Sequence, residues 1–185
     1  MTDLGTLGGD TSEAIWLNEA GDVAGSADLS GGVLHHAVLW RNSKIHDLGT
    51  VGVDPCSRGR GLNARGQVVG GSSDCTNFLH AFVWDEDSGM VDLNTVIQSG
   101  SGYQLTNAFN INDRGEILAK AAPFGFVPND DADLGHLVLL VPCGSETEDC
   151  AASLQSTDLV GPHSWAPSPN AANSGNLLRR DPAAN

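Results

Sequence analysis

Apolar positions in this chain fall into short runs that are rich in Val, Leu, Ile and Trp and are bounded by Gly, Asn, Asp and Ser. Such runs are typical of β-strands, and no segment shows a convincing helical period. AIWLN and DVAGSA flank residues 19–21, where the Asn before them and the closing Gly favour a turn. HAVLW and IHDLGT flank residues 41–44 in the same way. The pattern predicts that residues 14–50 form two antiparallel hairpins, and hence four strands.

The same pattern recurs along the chain at a nearly fixed spacing. A phrase DLGT or DLNT is followed by a turn LNxxG or INxxG, and then by a strand phrase that begins with His. The recurring positions are Asp3, Asp47 and Asp92, which are 44 and 45 residues apart, then Gly21, Gly66 and Gly115, and then His36, His80 and His136. A fixed period in this range indicates a repeat architecture. The sequence predicts three tandem units, at about residues 3–46, 47–91 and 92–142.

The size of the repeated unit predicts the fold class. Four short antiparallel strands in about forty to fifty residues match one β-propeller blade. We expect residues 1–143 to be all-β, as a partial or open β-propeller of about three blades packed face to face around a common axis. The third unit departs from the pattern, because Ala119 stands where the earlier units have Gly25 and Gly70. A long connection at residues 121–135 is expected to interrupt it.

These phrases together carry a resemblance to a known family. DLGTLGG, LNEAGDVAG and HAVLW, repeated as DLGTVGV, LNARGQVVG and HAFVW, resemble the HAF-repeat family of bacterial repeat proteins, named after the His-Ala-Phe that stands here at residues 80–82. The resemblance covers residues 3–142, and HLVLLVP is similar to the phrase that often ends the family's last repeat. It implies a repeat scaffold outside the cell and brings no established reaction.

Charge and hydropathy exclude two classes of partner. The formal net charge is −14, from 9 basic and 23 acidic side chains among 185 residues. Binding to phosphate backbones depends on basic side chains, so we expect no nucleic acid as partner. No run of about eighteen apolar residues is present, so no membrane span is predicted. The opening MTDLGTLGG has neither the basic region nor the apolar core of a secretion signal.

The number of units raises a question of completeness. Closed propellers have about four to eight blades, and the sequence predicts three. We therefore expect either a C-terminal part of a longer protein with N-terminal repeats missing, or a unit that closes by self-association. Residues 144–185 contain many Ala, Ser, Asn and Pro residues and no copy of the repeat. This composition predicts a largely disordered C-terminal tail.

The four cysteines form two pairs by position. Cys56 and Cys75 bracket the central hairpin of the second unit, and Cys143 and Cys150 enclose the loop GSETED. We expect each pair to lie within disulfide reach, with Cα atoms less than about 7 Å apart. Pairable cysteines favour an oxidising, extracellular compartment, although four unrelated thiols are the alternative reading. The absence of a Cys-x-x-Cys motif speaks against a zinc knuckle.

The recurring polar and aromatic positions favour structural roles. His36, His80 and His136 each begin a predicted strand, and an Asp of the DLGT or DLNT phrase lies in the adjoining one. We expect a His and an Asp to meet in every unit, within a buried hydrogen-bond network. A catalytic residue is needed once, whereas a packing residue is needed in every repeat. By the same argument the core is expected to contain Trp16, Trp40 and Trp84.

Candidate chemistry outside the repeat is sparse. Asn129, Asp131 and Asp133 place oxygen side chains at alternate positions, which suits calcium, but the EF-hand glutamate is missing and a solvated acidic insertion explains them as well. The G-x-G-x-x-A match at residues 59–64 precedes a strand instead of a helix, so it predicts no dinucleotide site. No nucleophile elbow or H-E-x-x-H motif is present. We predict no catalytic residue and no cofactor.

Two functional hypotheses follow. The first is a non-enzymatic extracellular scaffold or binding module whose loops recognise a protein or glycan. The alternative is a propeller-type enzyme, a hydrolase or lyase, with its site at the central channel. A cluster of acidic or His residues without counterparts in the other repeats would favour the enzyme. The recurring positions favour the scaffold.

Overall fold

The computed structural model describes residues 1–97, 102–125 and 135–143, and the backbone of residues 165–167. These residues form three antiparallel β-sheets and contain no α-helix. A single turn of 3-10 helix, Leu93–Thr95, begins after Asp92, whose side chain accepts a hydrogen bond from the backbone N–H of Asn94. The all-β prediction is therefore confirmed for the described part of the chain.

Consecutive strands are neighbours in every sheet, so each sheet is a simple meander. The first sheet contains β1 (Gly8–Leu17), β2 (Val23–Leu29), β3 (His35–Arg41) and β4 (Lys44–Gly49). The second contains β5 (Cys56–Leu62), β6 (Val68–Ser73), β7 (Phe78–Asp85) and β8 (Gly89–Asp92). The third contains β9 (Tyr103–Ile111), β10 (Ile117–Pro123) and β11 (His136–Pro142), and the short β12 (Trp165–Pro167) pairs with β11.

The first turn of each sheet is built in the same way. Gly21, Gly66 and Gly115 have φ angles of 85°, 80° and 82°, a conformation that glycine adopts without strain. In the first turn the Asn18 side-chain oxygen accepts hydrogen bonds from the backbone N–H groups of Ala20 and Asp22. The Asn and Gly of the predicted hairpins therefore close these turns as expected.

The sheets are out of phase with the sequence units. Asp47 lies in β4 and Asp92 ends β8, so these two aspartates belong to the last strand of a sheet and not to the first. The first two sheets thus cover residues 8–49 and 56–92. A tandem repeat fixes the length of the unit, but it does not determine which strand comes first in the sheet.

Two apolar layers join the sheets face to face. Strand β5 packs against β2 and β3, and β9 packs against β6 and β7. Between the first and second sheets the buried residues are Ala24, Ala37, Leu39, Leu48, Leu62, Val68 and Phe82. Between the second and third they include Val69, Ala81, Val83, Leu93, Leu105, Ala108, Ile117 and Leu140. Aliphatic side chains dominate both layers.

Two details of the third sheet differ from the simplest expectation. Ala119 lies in the middle of β10, and the strand continues through residues 121–123, which were expected to begin the long connection. Trp165–Pro167, within the predicted disordered tail, form β12. The rest of the tail and residues 126–134 of the long connection lie outside the described residues.

Candidate functional site

The first predicted cysteine pair is a disulfide. Cys56, the first residue of β5, is bonded to Cys75, with Cα atoms 5.0 Å apart and a sequence separation of 19 residues. The prediction that the hairpin of β5 and β6 brings the two thiols together is confirmed. Cys143 is also disulfide-bonded. Its predicted partner, Cys150, lies outside the described residues, so that pairing stays a prediction.

The expected pairing of His with Asp holds in one sheet and differs in the others. His36 Nδ1 lies 2.9 Å from Asp47 Oδ1, as expected for adjoining strands, but the pair is partly exposed to solvent and not part of the expected buried network. His80 Nδ1 instead lies 2.8 Å from Asp54 Oδ2, which corrects the expectation that it meets Asp92. His136 packs edge-on against the ring of Tyr103, with ring centroids 5.9 Å apart.

The recurring aspartates share a local role that does not involve histidine. Asp3 Oδ1 accepts a hydrogen bond from the backbone N–H of Gly5 at 2.9 Å, and Asp47 Oδ1 accepts one from Gly49 at 2.9 Å. Asp92 does the same for Asn94 at 2.8 Å. A carboxylate that binds the N–H two residues later stabilises a tight turn. This turn explains why Asp recurs even where no His contacts it.

A polar cleft lies at one end of the first sheet. It has a volume of about 260 Å³ and opens to solvent. The side chains come from β1, β2, β3 and the neighbouring strand β5 of the second sheet. The lining residues are Thr11, Ser12, Glu13, Ser26, Asp28, His35 and Arg58. The cleft therefore combines two carboxylates, an imidazole, a guanidinium and three hydroxyl groups.

Hydrogen bonds and charges organise the cleft. Arg58 Nη1 lies 3.3 Å from Glu13 Oε2, and the Thr11 hydroxyl donates to a carboxylate oxygen of Asp28. Burial, followed by the nearby positive charge of Arg58, lowers the pKa of His35 below its ordinary value of 6.5. Its imidazole is therefore neutral at pH 7, with one donor and one acceptor nitrogen. The arrangement suits a ligand that both donates and accepts hydrogen bonds.

The guanidinium of Arg58 also contains one buried nitrogen that is unpaired within the described part of the chain. Arg58 Nε is buried and has no hydrogen-bond partner there. Unpaired buried donors are uncommon, since each costs free energy when it leaves water.

The charged residues of the cleft have no counterparts of the same type in the other units, which is why recurring positions did not reveal them. Counting from the aligned Asn and Gly of each turn, Glu13 corresponds to Arg58 and Asn107. Asp28 likewise corresponds to Ser73 and Ala122. A search for titratable residues that break the repeat, in place of those that follow it, would have found these two carboxylates.

The structure gives no support for a metal site within the residues it describes. No group of three or more His, Cys, Asp or Glu side chains is arranged there to hold a metal ion. The weak calcium candidates Asn129, Asp131 and Asp133 lie outside those residues. They stay a prediction.

Comparisons with protein-family models, with curated proteins and with solved structures gave no match. In the described part of the chain, no helix is long and apolar enough to cross a membrane.

Proposed function

We propose that this chain is a non-enzymatic extracellular binding module of the HAF-repeat type, whose sheets are arranged as blades of an open β-propeller. Three meanders that stack through their faces support the blade arrangement. The first strands of the three sheets are also neighbours, because β1 contacts β5 and β5 contacts β9. The innermost strands of propeller blades are arranged in this way around the central axis. The disulfide between Cys56 and Cys75 supports an oxidising location.

The polar cleft is the observation that carries the binding function. Its carboxylates accept hydrogen bonds, its hydroxyls both donate and accept them, and the neutral His35 adds one donor and one acceptor. Small-molecule pockets usually measure about 300–1,000 Å³, so a volume of about 260 Å³ fits one small polar unit. We propose that the ligand is a glycan and that the cleft holds one of its sugar residues.

A second candidate function is favoured by a specific observation. Glu13, Asp28 and His35 occur together in the first unit and break the repeat, which is the pattern expected of an enzyme site. The alternative is therefore a hydrolase or lyase that uses these carboxylates. Binding is the better supported function, because Glu13 is held by Arg58 and Asp28 by Thr11. Both carboxylates are thus engaged as hydrogen-bond acceptors and ion-pair partners.

A glycan array followed by calorimetry with the best oligosaccharide tests the proposal. We expect Glu13→Gln to weaken binding by about tenfold or more, since a charged hydrogen bond contributes about 1.5–3 kcal/mol. The matched control is Glu86→Gln, which removes a carboxylate that also faces an arginine, Arg41, but lies outside the cleft. We expect this control to bind as the unchanged chain does.

Three other results would change the conclusion. Absence of binding to any glycan on the array would overturn the glycan proposal. Equal losses in both variants would show that the cleft is not the site. If the unchanged protein cleaves the bound oligosaccharide and Glu13→Gln does not, the protein is an enzyme and not a binding module.

A further inference from the structure

The outward face of the third sheet is exposed and carries three leucines beside one lysine, Lys120. Leu118 on β10 lies opposite Leu139 on β11, and Leu137 lies on the same face. Their exposed fractions are 37%, 45% and 67%, respectively. The opposite face of these strands carries Ile117 and Leu140, which are fully buried against the second sheet. One face of the third sheet is thus packed, and the other presents large side chains to water.

Positions equivalent to these exposed leucines are buried in the other two sheets. Leu118 corresponds to Val69 in the second sheet, and Leu139 corresponds to Val83. Val69 is 0% exposed and Val83 is 5% exposed, because both pack against the third sheet. In the first sheet the corresponding residues, Ala24 and Leu39, pack against the second sheet in the same way. This face is therefore the one through which each sheet contacts the next.

A complementary exposed edge lies at the other end of the stack. Leu17, the last residue of β1, is 66% exposed. Its equivalents, Leu62 at the end of β5 and Ile111 at the end of β9, are 2% and 3% exposed. Leu62 packs against the first sheet and Ile111 lies in the layer between the second and third sheets. In β1 the same position has no preceding sheet to contact within the described residues.

Three asparagines connect the stacked sheets by hydrogen bonds that all run in the same direction, from each sheet to the next. Asn18 Nδ2 donates to the carbonyl of Asn63, and Asn63 Nδ2 donates to the carbonyl of Asn112, both at 3.1 Å. Among the described residues the Asn112 side-chain amide donates to Glu116 but reaches no further carbonyl. At the third sheet the row of asparagines ends with the side-chain amide of Asn112, a donor. At the first sheet it begins with the backbone carbonyl of Asn18, an acceptor.

We infer that the outward face of the third sheet binds the β1 side of the first sheet in a second copy of this chain. The occupant follows from continuity, since this contact would repeat the two sheet-to-sheet interfaces already present. Two copies joined at both ends would close a ring of six sheets, within the range of about four to eight found in propellers. Each copy carries a net charge of −14, so we expect salt to strengthen the association by screening repulsion.

Sedimentation velocity over a range of concentrations and salt tests the inference with single charge substitutions. We expect the unchanged chain to form a dimer, and Leu139→Glu or Leu17→Glu to weaken it by at least about tenfold, because an unpaired charge would be buried. The control is Val53→Glu, which places the same charge at a loop residue that is 99% exposed. We expect this control to dimerise normally. Circular dichroism and urea unfolding check that all variants remain folded.

Mixing the two variants distinguishes head-to-tail contact from a symmetric one. Each variant alone lacks one of the two required faces, whereas the mixture contains one intact pair: the third sheet of Leu17→Glu and the first sheet of Leu139→Glu. We expect the mixture to form a one-to-one heterodimer. If Leu17→Glu alone dimerises fully while Leu139→Glu does not, the third sheets pair symmetrically and the inference is wrong.

Other outcomes would also overturn the second copy as occupant. A monomer at all concentrations, with Leu137 and Leu139 protected in hydroxyl-radical footprinting, would show that another segment of the same chain covers the face. A monomer with both leucines reactive would show that the face is unoccupied. Glycan binding is measured separately, so either result leaves the proposed binding function to be judged on its own data.

Discussion

The side-chain nitrogen Nδ2 of Asn63 donates a hydrogen bond of 3.1 Å to the backbone carbonyl of Asn112, across the boundary between the second and third sheets. The Asn63 side-chain oxygen also accepts from the backbone N–H groups of Arg65 and Gln67 inside its own turn. One buried side chain therefore closes a hairpin and joins two sheets. This double role explains why the position recurs as Asn, since Asp would lack the donor.

We expect Asn63→Ala to lower the free energy of unfolding by about 2–4 kcal/mol, because it leaves several buried polar groups unpaired. Asn112→Ala is the matched control, since Asn112 has the same turn contacts but is exposed and, among the described residues, donates to no further sheet. We expect it to cost about 1 kcal/mol, in line with the loss of exposed turn hydrogen bonds. Urea unfolding followed by tryptophan fluorescence measures both. Equal losses would show that the bond between sheets contributes nothing.

Local turn chemistry and cysteine spacing were the features that the sequence predicted well. The turn that ends at Gly21 requires a positive φ angle, and the Asn and Gly in the sequence predict such a turn. Cys56 and Cys75 lie nearly symmetrically about one hairpin, so antiparallel pairing brings them together. Both inferences depend only on residues within a single hairpin, so they do not require knowledge of how the sheets pack.

Features that depend on packing between sheets were predicted less well. Trp16, expected in the core, is 41% exposed because no sheet of the described chain covers β1, whereas Trp40 is 4% exposed. His80 contacts Asp54, which lies in the connection before β5 and not in the adjoining strand. The cleft was missed because it joins residues of four strands and does not follow the repeat.

The disulfide between Cys56 and Cys75 should contribute strongly to stability. For a loop of about 19 residues, the restriction of the unfolded chain corresponds to about 3 kcal/mol. We expect the double variant Cys56→Ser/Cys75→Ser to lose about this amount of unfolding free energy in urea. The control is the unchanged chain with and without dithiothreitol. If reduction shifts the unfolding midpoint of the double variant as much as that of the unchanged chain, the effect comes from another disulfide.

Acid should weaken the contact between Asp22 and Arg41. The hydrogen bond of 2.9 Å from Arg41 is the main cause that holds the pKa of Asp22 below its ordinary value of 3.8. A lowered carboxyl pKa adds stability that is complete above the unfolded value, near pH 4, and is lost as the pH falls through the folded value.

We therefore expect Asp22→Asn to cost about 1–2 kcal/mol of unfolding free energy at pH 7 and distinctly less at pH 2.5. Urea unfolding at the two pH values measures this difference. The control is Asp87→Asn at an exposed turn position, which should change the unfolding free energy by less than about 0.5 kcal/mol. A cost for Asp22→Asn that is the same at both pH values would mean that the Arg41 contact does not stabilise the fold.

The glycine at the centre of β6 is required by close packing and not by its backbone angles. A Cβ atom at Gly70 would overlap the carbonyl oxygen of Arg58 on β5 and would lie 2.8 Å from the Phe82 ring. The equivalent residue of the third sheet, Ala119, pairs with Ala108 and is fully buried without ending its strand. The third sheet thus accommodates the methyl group that the second sheet excludes.

We expect Gly70→Ala to lower the free energy of unfolding by about 2–3 kcal/mol, as overpacking of a tight core does. The reciprocal change, Ala119→Gly, should cost about 1 kcal/mol, because it removes one buried methyl group and frees the backbone of the unfolded chain. Urea unfolding of the two variants compares the sites directly. If Gly70→Ala is neutral or stabilising, β5 and β6 can separate to admit a side chain, and the glycine does not determine their spacing.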